Sequence, residues 1–227
     1  MRVAGDFCLS VGLLLALNLP AAAITITQVQ GKFECPNQDN QQACAILFEE
    51  RFLKEHPGLV SRDGDRLKIR LQNKRYAFIA DAAKYMNVLE LERMGRFLAI
   101  REQFYEGNTW HILDMRNGKR TDIAGYPLFS PDGNTFVAAS EDLDAMWSDT
   151  VLDVYQITES GIRRTFRGIS AKNPTWAARN VFWESNDRIR FSRATLSQKS
   201  PSGYAETPAS LSRQGKGWVI QKGNVSP

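Results

Sequence analysis

The residues of this chain whose types could do chemistry are few and scattered. There are only two histidines, His56 and His111, far apart in sequence. The one dense carboxylate group is Glu141-Asp142-x-Asp144. Its oxygens could hold Ca²⁺, but it lacks the glycine and ligand spacing of a calcium loop and reads better as a solvated acidic loop. No G-x-S-x-G elbow, H-E-x-x-H pair, P-loop or dinucleotide-binding glycine pattern is present. Neither histidine has metal-ligand spacing, so the reading calls for no metal and no cofactor. His56 falls where a helix should end, a position the helix dipole favours for a cation. His111, between Trp110 and Ile112, reads as packing or surface. A carboxylate pair acting on a glycan is the enzymatic alternative, although nothing singles out one pair.

What remains is a set of aromatics that only a repeated scaffold could bring together. In Phe129-Ser130-Pro131-Asp132-Gly133, Pro131 presets a tight turn, Asp132 can bond its own backbone two residues on, and Gly133 accepts a left-handed conformation. Apolar residues flank the turn, so it joins two strands of a hairpin. About 40 residues separate Phe97-Leu98-Ala99-Ile100 from Phe136-Val137-Ala138-Ala139, a blade-like period. Each is followed by a further strand, at 110–115 and at 151–157, then by a turn at Gly118 or Gly161 into a short last strand. A looser third copy holds Trp176, Asn186-Asp187, Arg188-Ile189-Arg190-Phe191, Ala209-Ser210-Leu211 and Trp218-Val219-Ile220.

The Ser-Pro-Asp-Gly turn and this repeat resemble the blades of TolB-like and WD-repeat β-propellers, over roughly residues 85–221. The motif is complete once. The other copies have Glu92-Arg93-Met94-Gly95 and Glu184-Ser185-Asn186-Asp187 at that place, and no Trp-Asp dipeptide ends a blade. The expected fold class is therefore mainly β: a small propeller-like stack of antiparallel sheets, about three to four blades, with one N-terminal α-helix. It is either a very small closed ring or an open stack. In four-stranded blades the loops between second and third strands share one rim. Here these are 103–108, 141–150 and 196–204, expected to be long. They carry Phe104, Tyr105, Met146, Trp147 and Tyr204. Of these, Phe104, Tyr105, Trp147 and Tyr204 are the expected binding residues, because loops on a rigid scaffold are where binding sits.

The N-terminal part predicts location and ties. Arg2, the apolar run 11–17 and Ala21-Ala22-Ala23 read as a secretory signal cleaved before Ile24. The apolar run is shorter than the about 20 residues a bilayer span needs. Residues 24–227 then form one β-rich domain: strand, helix and hairpin over 24–84, and repeats over 85–227. Cys35 and Cys44 are expected to be disulfide-bonded. Gln41 to His56 reads as a helix with Ile46, Leu47, Phe52 and Leu53 as its apolar stripe. Leu67-Lys68-Ile69-Arg70-Leu71 and Tyr76-Ala77-Phe78-Ile79 read as a hairpin.

The net charge is +4, distributed unevenly. Residues 129–160 hold seven acids and no Lys or Arg, whereas residues 161–227 hold twelve Lys or Arg against Glu184, Asp187 and Glu206. Either the basic third meets a polyanion, or acidic and basic blades compensate each other. The resulting expectation is a periplasmic or secreted, non-catalytic binding or scaffold module of the bacterial envelope. Its partner would be an envelope protein or glycan. Nucleic acid is a poor candidate in an exported protein, and no transmembrane segment is expected after signal cleavage.

Overall fold

A computed structural model describes residues 41–80, 86–90, 96–104, 107–143, 149–169 and 174–223. The expected signal peptide, the first strand, Cys35, Tyr105, Asp144, Met146 and Trp147 lie outside the described residues, and with Cys35 the expected disulfide to Cys44. Helix α1 (Gln41–Glu55) is followed by a three-stranded sheet of β1 (Val60–Asp63), β2 (Arg66–Arg70) and β3 (Tyr76–Ala80). Three four-stranded sheets come next. The first is β4 (Met86–Glu90), β5 (Phe97–Phe104), β6 (Gly107–Asp114) and β7 (Arg120–Ile123). The second is β8 (Pro127–Phe129), β9 (Thr135–Ser140), β10 (Val151–Thr158) and β11 (Gly161–Arg167). The third is β12 (Ala177–Ser185), β13 (Arg188–Leu196), β14 (Tyr204–Gln214) and β15 (Gly217–Lys222). In every sheet the strands follow chain order and neighbours run antiparallel. The protein is thus mainly β and propeller-like, with three four-stranded sheets where the repeats were expected.

The strand alternation explains how the sheets stack. Along β5, Leu98 and Ile100 join a core with Leu67, Ile69 and Leu71 of the three-stranded sheet, while Phe97 and Ala99 join Phe136 and Ala138 of β9. On β9, Val137 and Ala139 face the other way, toward Ile189, Phe191 and Leu211. Both faces of the two middle four-stranded sheets are therefore buried, because their strands are apolar at odd and even positions alike. The three core clusters join consecutive sheets, and none joins the last sheet to the first. The described residues form an open stack, not a closed ring.

Two expectations for the early elements change. On α1 the buried residues are Ala45, Glu49 and Phe52, whereas Ile46 is 37% and Leu47 63% exposed. Glu49 takes a core-facing helical position because Arg62 of β1 meets its carboxylate with two hydrogen bonds, Nη2 to Oε2 at 2.6 Å. Likewise β5 extends to Phe104 and β6 starts at Gly107, so the expected long loop at 103–108 shrinks to two residues.

Candidate functional site

In a meander of four strands, the first and third turns share one rim and the second turn lies on the other. The first rim is tied together across sheets. Its organising turn is the Ser-Pro-Asp-Gly stretch. Gly133 has φ 72°, the left-handed value for which glycine has no steric cost. Its N–H donates to Ser130 O at 2.8 Å, and Asp132 Oδ1 accepts from the Asn134 N–H at 3.0 Å. Hydrogen bonds from Ser130 and Asn134 outweigh the upward push of burial and hold the Asp132 carboxyl below its ordinary value. The Asp132 N–H donates to Asn186 Oδ1 in the next sheet at 3.0 Å. Arg213 pairs with Asp187 at 3.2 Å and reaches Thr135 Oγ1 at 3.4 Å.

The same rim holds a buried charge cluster. Asp114 is 3% exposed and receives Arg96 at 2.8 Å and Arg116 at 3.2 Å. Burial pushes its carboxyl up, but the hydrogen bonds of the two guanidiniums prevail and its pKa is lowered. Arg96 also donates to Thr158 O at 3.0 Å, and Arg116 to Glu159 O at 2.6 Å. Both carbonyls belong to the β10–β11 turn, so one carboxylate aligns two cations that clamp the neighbouring sheet. The three-stranded sheet is attached there too, through the Gln72 N–H to Met115 O at 2.8 Å and Asn73 Nδ2 to Arg116 O at 3.1 Å.

The opposite rim carries the connections 141–150 and 197–203, as expected, and the short one after Phe104. Tyr204 opens β14 and is half-buried. The Arg179 guanidinium lies over its ring, 4.8 Å from the centroid. Arg179 pairs with Glu141 at 2.6 Å and with Glu206 at 3.1 Å. Burial pushes the Glu141 carboxyl up, Arg179 pulls it down and Glu206 adds to the rise. With its carboxylate on Arg179, Glu141 serves as a link between sheets and not as part of a free calcium-binding loop. Beside this group, Arg193 sits over Trp176 at 4.6 Å, and Trp176 stacks on Phe191 at 5.9 Å. Of the expected binding residues, Tyr204 is on this rim in the described structure, and Phe104 ends β5 on the same side. Trp176, Arg179 and Arg193 were missed. The signal for Arg179 was its place opposite an acidic stretch; for Trp176 and Arg193 no sequence signal stood out.

His111 is packed, one of the two places expected for it, but among acids. It is buried, with Nδ1 2.7 Å from Asp122 Oδ1 and Nε2 3.2 Å from Glu102 Oε1. Arg120 adds a bond to Asp122 at 2.9 Å. Burial works against the Asp122 carboxylate, but hydrogen bonds from Arg120 and His111 lower its pKa. A histidine oriented by an acid is the base half of a nucleophilic triad. Here the nearest hydroxyl, Thr109 Oγ1 at 3.4 Å, competes with the closer Glu102 carboxylate for Nε2. The group reads as a polar tie across β5, β6 and β7. Among the described residues no cluster of His, Cys, Asp and Glu is arranged to hold a metal ion, and no helix is long and apolar enough to cross a membrane.

The uneven charge resolves into pairs. Arg164 and Arg167 hold buried Asp153 at 3.2 and 3.1 Å, Arg179 holds Glu141, and Arg188 and Arg190 hold Glu184 at 2.9 and 3.0 Å. Compensation between neighbouring acidic and basic segments accounts for these five arginines. Arg188 and Arg190 do alternate with buried Ile189 and Phe191, but they meet Glu184 on the outer face.

No protein-family profile matches this chain, and no curated protein does. Several solved structures are similar to it. One is a chain of the S. cerevisiae complex of Dbp5 bound to Nup159, Gle1, IP6 and ADP, 11% identical, with a TM-score of 0.37 over 72% of this chain and 46% of that one. Another is the N-terminal domain of Nup159, 11% identical, with a TM-score of 0.36 over 72% of this chain and 47% of that one. A third is TolB from Acinetobacter baumannii, 13% identical, with a TM-score of 0.31 over 83% of this chain and 48% of that one. The chain spans about half the length of the solved structures it matches.

Proposed function

We propose that this protein is an exported, non-catalytic binding or scaffold module of the bacterial cell envelope, and that it recognises an envelope protein or glycan through the loop rim of its sheets. The observation that carries this is the division of labour between the rims. Polar groups fasten the turn rim from sheet to sheet, while the other rim carries the long connections at 141–150 and 197–203. Such loops can vary without loosening the scaffold. Phe104, Tyr105, Trp147 and Tyr204 are the proposed anchors, since aromatic side chains bury large area at low entropic cost. Export rests on the signal-like segment 1–23 of the sequence. Glycan hydrolysis is the less favoured reading, because Arg179 occupies both carboxylates beside Tyr204.

The test is capture of an envelope component on immobilised protein, followed by its identification and titration. Trp147→Ala and Tyr204→Ala should each weaken that binding by about 1 kcal/mol or more and leave the unfolding transition cooperative. Unchanged binding by both variants would sink the rim assignment.

A further inference from the structure

Among the described residues, the outer face of the three-stranded sheet is exposed. On β2 Leu67 and Ile69 are fully buried, so the pleat turns Arg66, Lys68 and Arg70 outward. The register sets Phe78 opposite Lys68 and Tyr76 opposite Arg70, which places both rings on that same outward face. Tyr76 is 50% and Phe78 48% exposed. Residues 66–80 hold five basic residues (Arg66, Lys68, Arg70, Lys74 and Arg75) and no Asp or Glu.

The rings prop the cations. The Arg66 guanidinium lies 5.1 Å from the Phe78 centroid, and Lys68 Nζ lies 4.4 Å from that of Tyr76. These are the diagonal neighbours of the cross-strand register. Arg66 has one acidic contact, Asp63 at 3.7 Å, and among the described residues Lys68, Arg70, Lys74 and Arg75 form no ion pair. The outer face of the last sheet is the reverse case, with Arg188 and Arg190 both on Glu184. The first sheet therefore presents a run of positive charge with no carboxylate within 66–80 to balance it.

We propose that this face docks the protein on an anionic lipid surface. Outward side chains on one strand repeat about every 6.7 Å, so the cations form a flat row that needs no fixed register in its partner. Each basic residue near an anionic bilayer adds to the attraction, which fades within a Debye length. A tyrosine beside the cations suits the headgroup level of a bilayer, and the exposed Phe78 offers apolar contact next to it. Single-stranded nucleic acid would need free ring faces for stacking, and here Arg66 and Lys68 each take up one face of a ring. A protein partner fits less well, because the centres of protein interfaces are depleted of charge. This docking is independent of recognition by the loop rim.

The experiment is co-sedimentation of the purified protein with phosphatidylcholine vesicles, with and without phosphatidylglycerol, across a salt series. Binding should require phosphatidylglycerol and weaken steadily as salt rises. Lys68→Glu combined with Arg70→Glu should weaken it by about tenfold or more, since two near-surface cations are reversed. Tyr76→Ser with Phe78→Ser should weaken it severalfold while preserving the salt dependence. Arg188→Gln with Arg190→Gln should leave it unchanged. The thermal midpoint monitors folding, and if the charge-reversed protein fails to fold, Lys68→Ala with Arg70→Ala decides. Equal binding to pure phosphatidylcholine overturns the proposal. So does the absence of vesicle binding at low salt, with or without binding of a single-stranded oligonucleotide. A loss caused by the Arg188 and Arg190 changes in place of the first-sheet changes also overturns it.

Discussion

The two rims of the stack are built from the same chain and the same kinds of residue, yet they are tied to different degrees, by several contacts on the turn rim and by the Glu141–Arg179 pair on the loop rim. On the turn rim, polar groups reach from sheet to sheet. Asp114 aligns Arg96 and Arg116 onto the carbonyls of the β10–β11 turn, and Asp132 and Asn186 join two further turns. On the loop rim, charged groups gather around aromatic rings, as Arg179 does on Tyr204 and Arg193 on Trp176. The buried carboxylate of Asp114 contrasts with the half-exposed ion pair of Glu141 and Arg179. Burial makes each tie on the turn rim matter, because a charge left unpaired there cannot retreat to water. The difference teaches where this fold keeps its rigidity and where it has room to vary.

The strongest way to break the comparison is Asp114→Ala. It leaves Arg96, whose side chain is 14% exposed, without its acid. The expected loss is about 3 kcal/mol in denaturant unfolding. A change near zero would mean that the turn rim is no firmer than the loop rim. A smaller effect is expected from Gly133→Val, which forces a β-branched residue into a left-handed turn position and should cost about 1–2 kcal/mol. An unchanged denaturation midpoint there would refute the strained turn. The smallest effect per group is titration. Asp114, Asp122 and Asp132 all have lowered pKa values in the folded protein. Their stabilising contribution is present above the ordinary carboxylate range and is lost as pH falls below about 4 toward their folded values. Melting temperature followed from neutral to acid pH should fall in that window, and less steeply in Asp114→Asn. An equal slope in that variant would place the acid sensitivity elsewhere.

Much of the scaffold was legible because its cues are local. Ser130-Pro131-Asp132-Gly133 specifies its own turn through bonds spanning two to five residues, and the alternation of Leu67, Ile69 and Leu71 fixes which side of β2 is buried. The candidate site was less legible. Tyr204 could be placed on a rim from the order of strands, but its partner Arg179 is 25 residues away and arrives only through the β13 register. His111 looked apolar by its neighbours, yet strand pairing puts it directly opposite Asp122. The first-sheet face was present in the alternation of Arg66, Lys68 and Arg70. Its meaning appeared only when Arg188 and Arg190 proved to be held by Glu184 while Lys68 and Arg70 form no ion pair among the described residues.

The sequence by itself determined most of the strands, the Ser130-Pro131-Asp132-Gly133 turn and the buried side of β2, since these follow from residue chemistry over a few neighbours. It also determined the uneven distribution of charge along the chain. The tertiary structure alone decided which sheet packs on which, that among the described residues no core cluster joins the last sheet to the first, and which cations find acids. Those outcomes depend on side chains brought together across tens of residues, such as Arg96 with the Thr158 carbonyl and Trp183 Nε1 with the Leu128 carbonyl at 2.8 Å. A buried polar group must find its partner wherever packing delivers one, and no local pattern in the chain announces that meeting.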